Sequence, residues 1–177
     1  AGKLTIIPCH IGQLGAMIAG GIIACDVAMI QVSPADAKGN HSLGLISDHV
    51  LAAVAKARLV IAEVNDQVPF TFGLSIPASK IDVFVHTSRP PVQVMPGKIG
   101  ATDEAIAAHA AQFIEDGSVL QVGVGAVPDA IMGQLKDRRD LGVHSGMIGD
   151  GVVELAEAGV LTNARKEFDA GVSVAGA

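Results

Sequence analysis

The chain has 177 residues, which suits one ordinary domain or two small ones. Half of its residues are hydrophobic, 17% are charged and the formal net charge is −6. Aromatic residues make up 3%, with no Trp or Tyr, so few rings are available to stack on bases, and the negative charge repels phosphates. We therefore expect no nucleic-acid partner.

The sequence also argues against a membrane-spanning segment, a secretory signal and a bound metal ion. The uncharged run that follows His10, residues 11–25, carries several glycines and is too short to span a bilayer. No basic segment precedes an apolar core at the N-terminus, so no signal peptide is expected. Cys9 and Cys25 form no disulfide framework, and with His10 and His41 they match no common zinc spacing. We expect a cytoplasmic protein without a bound metal.

Strand-like and helix-like segments alternate through the first half. Continuous apolar runs predict strands, and helical spacing with a capping Ser47 predicts the second helix. In chain order the predicted elements are a strand at 4–9, a helix at 13–23, a strand at 26–32, a helix after Ser47, and strands at 58–64 and 81–85. Such unbroken apolar strands are typical of parallel sheets covered on both faces.

A Pro/Gly-rich connection from residue 89 to residue 100 interrupts the pattern and predicts a domain boundary near residue 95. Thr102 is then predicted to cap a helix whose apolar face holds Ile106, Ala110, Phe113 and Ile114. Further strand-like runs follow at 119–122, 141–145 and 171–177. The alternation predicts an α/β fold with mainly parallel sheets flanked by helices.

The most informative segment is a glycine turn between a predicted strand and a predicted helix. Gly123, Val124 and Gly125 follow the strand, and Pro128 opens the helix, where its missing N–H has no intrahelical role. Glycines allow a ligand close to bare backbone N–H groups, and a helix N-terminus favours negative charge. The segment therefore predicts a site for an oxyanion or a phosphate.

A dinucleotide fingerprint is the first alternative for this turn. Its third small residue is replaced by Pro128, and no acidic residue follows about twenty positions on to hold a ribose. The next strand-like run ends in His144, Ser145 and Gly146, with no carboxylate. A nicotinamide-dependent enzyme is thus disfavoured, although it stays open as a rival.

Other polar residues follow predicted strands, at the edge where α/β proteins bind ligands. The loop from Ser33 to Gly39 is either a phosphate or pantetheine loop or a plain polar turn. Asn65 is expected to shape a loop at that edge. His144 either contacts substrate or packs as a hydrogen-bonded histidine, and Glu63 is favoured as a structural acceptor over a nucleophile.

A series of motifs runs through nearly the whole chain in a fixed order. They are Asp26-Val-Ala-Met-Ile-Gln-Val-Ser-Pro-Ala-Asp36, Gly39-Asn-His-Ser-Leu-Gly44, Ala62-Glu-Val-Asn65 with Pro69, Leu120-Gln-Val-Gly-Val-Gly-Ala-Val-Pro-Asp-Ala130, Leu141-Gly-Val-His-Ser145, Asp150-Gly-Val-Val-Glu-Leu155, and Gly159-Val-Leu-Thr-Asn163 with Lys166. Each is weak alone. Together they resemble the acetyl-CoA hydrolase/transferase family, which includes 4-hydroxybutyrate and acetate/succinate CoA-transferases.

The resemblance implies parts of two similar α/β domains of the CoA-transferase (NagB/RpiA-like) type. Residues 1–95 would be the C-terminal part of the first and residues 96–177 the N-terminal part of the second. Family members move CoA from an acyl-CoA to a small carboxylic acid through a glutamyl-CoA intermediate, with CoA as substrate and no bound cofactor. A homo-oligomer is expected.

Site residues are implied by the same resemblance. The backbone N–H groups of Val124 and Gly125 would be the oxyanion donors. Residues expected to contact substrate or CoA are Gly123, Ala126, Pro128, Ser33, Asn65 and His144. Gly146 stands where the family commonly has Glu, which removes a carboxylate from that turn.

The resemblance places the nucleophilic glutamate beyond Ala177. It also places about the first quarter of a family member before Ala1. We therefore expect a fragment, inactive alone, that associates with missing segments of its own polypeptide or with another subunit. Two functional alternatives stay open: an acyl-CoA hydrolase of the same family, and a non-catalytic α/β module that binds a phosphate or nucleotide.

Overall fold

The computed structural model describes residue 2 and residues 6–176. The chain divides into two compact units, Ala1–Gln93 and Val94–Ala177. Both are α/β, so the predicted fold class is confirmed. The interpretation of the two units as parts of two CoA-transferase-like domains stays a prediction.

Unit 1 is built on a parallel sheet. Its elements are α1 (Ile11–Ala19), β1 (Val27–Val32), β2 (Asn40–Ser42), α2 (Val50–Lys56), β3 (Leu59–Asn65), β4 (Ser75–Pro77), a short 3₁₀ turn (Ala78–Lys80) and β5 (Val83–Thr87). The strands β1, β3 and β5 pair in parallel in the order β1-β3-β5, while β2 and β4 form a separate antiparallel pair. All three parallel strands therefore end at one edge.

Alternate side chains of the β1-β3-β5 sheet have different surroundings. Ala28, Val32, Val60 and Ala62 are buried in a core that the apolar residues of α2 cover. The opposite face carries Met29, which is 80% exposed, together with Val83 and Val85. One face is thus packed and the other is open within this chain.

Unit 2 repeats the parallel arrangement. Its elements are α3 (Ala101–Ala111), β6 (Val119–Leu120), α4 (Ala126–Gly133), β7 (Gly142–Met147), α5 (Asp150–Glu157) and β8 (Val174–Gly176). The strands pair in parallel in the order β6-β7-β8. Leu135, Leu141, Val143 and Leu155 are fully buried at the centre of the core.

Most predicted elements of unit 1 are present, with shifted ends. The helix predicted at 13–23 is α1, which ends at Ala19 because Gly21 has φ 77° and the N–H of Ile22 bonds the carbonyl of Met17. The predicted cap Ser47 is wrong, since His49 precedes α2 and Ser47 contributes only a backbone carbonyl to Val50.

The strand predicted at 4–9 is wrong where it is described. Leu4 and Thr5 lie outside the described residues, and residues 6–9 form no strand. Ile6 is 79% exposed, so its apolar character does not reflect burial in a sheet of this chain. A continuous apolar run alone does not make a strand without a neighbour to pair with.

The predicted apolar face of α3 is wrong for Ile106 and Phe113, which are exposed, whereas Ile114 packs against the core. Gly100, not Thr102, precedes the helix, and its N–H donates to Asp103 Oδ2 at 2.9 Å. Ala107 and Ala111 are the buried positions, whereas Phe113 is 86% exposed. Small alanines permit close packing of α3 against α4, so the contact side is set by size rather than by hydrophobicity.

Further differences in unit 2 concern element ends. The strand predicted at 119–122 is β6, which stops at Leu120, and the predicted terminal strand is reduced to β8. The helix predicted after the glycine turn begins at Ala126, so Pro128 is its third residue but still within the first turn. Within residue 2 and residues 6–176, no helix combines the length and apolarity needed to cross a membrane.

Asn163 ties β7 to the segment that leads into β8. It has φ 57°, is buried, accepts the N–H of Val143 at 2.9 Å and donates to Ser173 Oγ at 2.9 Å. Close by, the buried Lys166 ammonium donates to the carbonyls of Val143 and Val172. Side chains thereby satisfy backbone groups that the strands leave unpaired.

Asn163→Ala is expected to lower the free energy of unfolding by about 2–4 kcal/mol. The buried N–H of Val143 loses its acceptor, and alanine pays the cost of a left-handed backbone. Chemical denaturation of the chain measures the loss. Asn163→Gly removes the same hydrogen bonds without that backbone cost, so it should lower the free energy of unfolding less than Asn163→Ala does. An equal or larger loss for the glycine variant would contradict the role given to the left-handed backbone.

Candidate active site

The glycine turn lies at the carboxyl end of β6, directly before α4. Gly123, Val124 and Gly125 are exposed, and Val124 is 55% exposed. Gly125 has φ 128° and ψ 176°, a conformation essentially restricted to glycine. The turn therefore presents its backbone at the surface of unit 2.

The backbone N–H groups of this turn are available to a ligand. Among the described residues, those of Val124 and Gly125 donate to no backbone or side-chain acceptor. The first N–H groups of α4 add a partial positive charge, since they have no intrahelical partner. Asp129 N–H returns to the carbonyl of Gly125 at 3.1 Å, which closes the first turn of the helix.

The surroundings of the two glycines differ. A Cβ on Gly123 would lie 3.7 Å from Pro128 Cγ, so this glycine packs against the proline ring. A Cβ on Gly125 would meet nothing within 4 Å. Gly97 lies beside the start of α4, where an added Cβ would be 3.5 Å from the backbone nitrogen of Ala126. The free space is thus on the Gly125 side of the turn.

Ser145 of β7 holds the strand that enters the turn. Its Oγ is 2.9 Å from the nitrogen and 2.9 Å from the carbonyl oxygen of Val122, and 2.6 Å from the carbonyl oxygen of Met147. The neighbouring His144 points to the opposite side of the strand and is exposed. Sequence reasoning singled out His144 and missed Ser145.

Ser33 and Asn65 lie inside unit 1 and are fully buried. Ser33 Oγ accepts the N–H of Ser42 at 3.0 Å and donates to the carbonyl of Pro34. Asn65 donates to the carbonyl of Arg89 at 2.8 Å and accepts the N–H groups of Gln67 and Arg89. Both side chains fix loops at the carboxyl edge of the sheet.

Glu63 stands at the same edge as the acceptor in a polar cluster. Arg89 forms a two-point ion pair with it, at 2.6 Å from Nε to Oε1 and 2.7 Å from the terminal nitrogen to Oε2. Thr87 and Gln31 donate to it at 2.8 Å and 3.1 Å. The Arg89 bond, then the Thr87 and Gln31 bonds, lower the pKa of Glu63 to about 2. An ionised carboxylate with all these partners is a poor nucleophile.

An open concavity of about 510 Å³ lies beside this cluster. Its walls are apolar, with the polar cluster at one end; they include Met29, Ile61, Val85 and Val92. Within the described part of the chain, no group of three or more His, Cys, Asp or Glu side chains is placed to hold a metal ion.

Comparison with known proteins decides the family. The family model described as the acetyl-CoA hydrolase/transferase N-terminal domain matches residues 1–96. The chain belongs to the acetyl-CoA hydrolase/transferase family. The resemblance drawn from the motifs is therefore confirmed.

Curated CoA-transferases are similar to almost the whole chain. The 4-hydroxybutyrate coenzyme A transferase of Clostridium kluyveri is 42% identical over 172 residues, which cover 97% of this chain and 40% of that protein. The succinyl-CoA:acetate/propanoyl-CoA:succinate CoA transferase of Fasciola hepatica is 36% identical, covering 96% and 36%. The chain thus spans about two fifths of the length of these relatives.

Solved structures with a similar sequence have the same fold. The 4-hydroxybutyrate CoA-transferase of Porphyromonas gingivalis superposes with a TM-score of 0.89 at 32% identity, over 96% of this chain and 44% of that one. RipA from Yersinia pestis gives 0.88 at 37% identity, over 96% and 40%.

The ion pair of Glu63 predicts a specific acid response. Because its pKa is depressed in the folded state, Glu63 stabilises the fold fully above its ordinary value near 4.5, and this stabilisation is lost as the pH falls toward 2. In the Glu63→Gln variant, the denaturant concentration at the unfolding midpoint should therefore decrease less than in the wild type as the pH is lowered between these values. Denaturant unfolding at a series of pH values measures it.

The matched control is Glu157→Gln, which neutralises an exposed glutamate of α5. It should keep the wild-type slope over the same pH interval. If Glu63→Gln also kept the wild-type slope, the Glu63–Arg89 pair would not contribute to stability in solution.

Proposed function

We propose that the polypeptide containing this chain transfers CoA from an acyl-CoA to a small carboxylic acid. The observation that carries the proposal is the exposed glycine turn, whose Val124 and Gly125 N–H groups lack acceptors among the described residues. Such donors suit a negative charge that develops on a carbonyl oxygen. The names of the curated relatives supply the reaction class.

In this proposal a glutamate carboxylate, supplied from outside residues 1–177, attacks the thioester carbonyl. The C–S bond breaks, CoA leaves as the thiolate and an acyl-glutamyl anhydride forms. The thiolate then attacks the glutamyl carbonyl and releases the first acid, which leaves a glutamyl-CoA thioester. The incoming carboxylate reverses these steps with its own acyl group. CoA is a substrate throughout, and no bound cofactor is required.

Val124 and Gly125 donate their N–H groups to the oxyanion of each tetrahedral intermediate. The open space beside Gly125 gives that oxygen room, and the start of α4 at Ala126 adds favourable electrostatics. Gly123 and Pro128 pack together and fix the shape of the turn. The donors all come from the backbone, so no acidic or basic side chain of the turn is needed.

The remaining predicted contacts take different roles in the proposal. His144 is exposed and available to substrate. Ser33 and Asn65 act indirectly, because their polar atoms are engaged and they are fully buried. They hold the loops that carry the carboxyl edge of the β1-β3-β5 sheet, where a CoA moiety would find backbone groups.

Transfer to an acid is favoured over hydrolysis by water. The curated relatives are named as CoA-transferases, among them a butyryl-CoA:acetate CoA-transferase of Anaerostipes caccae that is 38% identical over 151 residues. Mixing an acyl-CoA with acetate separates the reactions, since transfer produces acetyl-CoA while hydrolysis produces free CoA. Free CoA as the main product would overturn the transferase assignment.

Association with further protein is part of the same proposal. The open face of the β1-β3-β5 sheet exposes Met29, Val83 and Val85, and parallel sheets are usually covered on both faces. We expect other segments of the same polypeptide, or another subunit of a homo-oligomer, to cover it. Cytoplasmic localisation also stays a prediction.

Gly125→Val in the complete polypeptide is expected to lower kcat for CoA transfer by about 10²–10³-fold, the effect of losing one oxyanion donor. The added side chain would project into the open space and would force the turn out of its glycine-only conformation. Steady-state transfer and thermal unfolding on the same preparation measure both effects.

Gly159→Val is the matched control for backbone strain. Gly159 has φ 73° and open space around it, and it follows α5 away from the turn. This variant should lose stability but keep its kcat. A Gly125→Val enzyme with near-normal kcat, or with activity that falls only with the folded fraction, would show that the turn is structural.

The chain of residues 1–177 by itself is expected to have no CoA-transfer activity, since the proposed nucleophile is not among its residues. Incubation of the purified chain with acyl-CoA and acetate, followed by measurement of acetyl-CoA, tests this. Turnover by the chain that exceeds a buffer blank would place the nucleophile inside it and would direct attention back to its own carboxylates.

A further inference from the structure

Ser145 occupies a special position in the β6-β7 pairing. The two strands pair Val119 with Gly142 and Leu120 with Val143. Continued in the same register, Val122 stands opposite Ser145. The backbone pairing has stopped there, and the Ser145 hydroxyl bonds the nitrogen and the carbonyl oxygen of Val122, each at 2.9 Å. A side chain thus replaces the ladder where the strands separate.

We infer that Ser145 is a positioning residue for the oxyanion donors, an inference that rests on the proposed function. The carbonyl of Val122 belongs to the same peptide group as the nitrogen of Gly123. By holding that group, Ser145 fixes the direction in which the chain enters the turn. Only the two torsions of Gly123 lie between this anchor and the peptide group that carries the N–H of Val124.

The hydroxyl is suited to this role by its burial and its partners. Ser145 is 9% exposed and Val122 is 6% exposed, so water does not readily replace the bond. The hydroxyl oxygen accepts the N–H of Val122, and its single proton is shared between the carbonyl oxygens of Val122, at 2.9 Å, and Met147, at 2.6 Å. Glycine on both sides of Val124 cannot fix the turn by itself, because glycine has little conformational preference.

The glycines and Ser145 thus have different roles: the glycines leave space for the substrate, and Ser145 restricts the position of the turn. The turn needs glycines so that a substrate oxygen can approach, but their freedom would let the N–H groups drift from the geometry that the oxyanion requires. A displacement of about 1 Å is sufficient to lower a catalytic rate about 10²-fold. The Ser145 anchor limits that drift without occupying the open side of the turn.

Ser145→Ala in the complete polypeptide is expected to lower kcat by roughly 10–100-fold with little change in KM, because the displaced donors act in the transition state. Ser145→Thr keeps the hydroxyl and should restore most of kcat. Hydrogen exchange followed by mass spectrometry should show faster exchange in residues 121–127 of the alanine variant, with the other segments unchanged.

Ser118→Ala is the matched control. It removes a hydroxyl that accepts the N–H of Glu115 at 3.0 Å, just before β6 and at the opposite end from the turn. It should leave kcat and the exchange of residues 121–127 unchanged. A Ser145→Ala variant with the kcat and exchange of this control, or one that loses protection throughout the chain, would overturn the positioning role.

The two proposals fail in different ways. A wild-type polypeptide without CoA-transfer activity would refute the proposed function, and the exchange experiment would then decide alone whether Ser145 holds the turn. An active wild type whose Ser145→Ala variant is folded and equally active would refute the positioning role and leave the proposed function standing.

Discussion

Backbone groups at the carboxyl ends of parallel strands need partners once the strands stop pairing, and this constraint organises both units. Side chains supply those partners. Asn65 bonds both backbone groups of Arg89, and Ser145 bonds both of Val122. At the amino end of β7, Asn163 likewise accepts the N–H of Val143. Against this background the glycine turn is an exception, because its exposed N–H groups are left without acceptors among the described residues. Because side chains provide hydrogen-bond partners for the backbone groups nearby, the N–H groups of the turn that lack them are significant.

The carboxyl edges of the sheets in the two units have different electrostatic environments. In unit 1, Glu63 is fully engaged by Arg89, Thr87 and Gln31, which keeps it ionised and stabilised. In unit 2 the residues of the turn carry no charge, and an incoming negative charge meets backbone N–H donors beside the start of α4, whose first turn also contains Asp129. This contrast supports a structural role for Glu63 and a ligand-binding role for the turn.

The sequence predicts much of this fold because local patterns determine it. Apolar runs predicted β1, β3 and β5, and the glycine–proline spacing predicted both the turn and the helix that follows. The α3 face was missed because alanines bury at a close helix contact while Phe113 stays exposed, which hydrophobicity alone does not reveal. Arg89 was missed as the partner of Glu63 because 26 residues separate them, and only the parallel pairing of β3 with β5 brings them together.

Glycine content alone does not identify the functional turn, and the reason is geometric. Gly142 and Gly151 are required by packing, since an added Cβ would lie 2.8 Å from Lys166 and 2.7 Å from Met132. Gly159 has positive φ and open space but follows a helix, where free carbonyls gather and repel an anion. Gly125 combines the same freedom and space with a position before a helix, where N–H groups point outward. It is this polarity of the backbone, rather than the glycine itself, that makes the turn fit for an oxyanion.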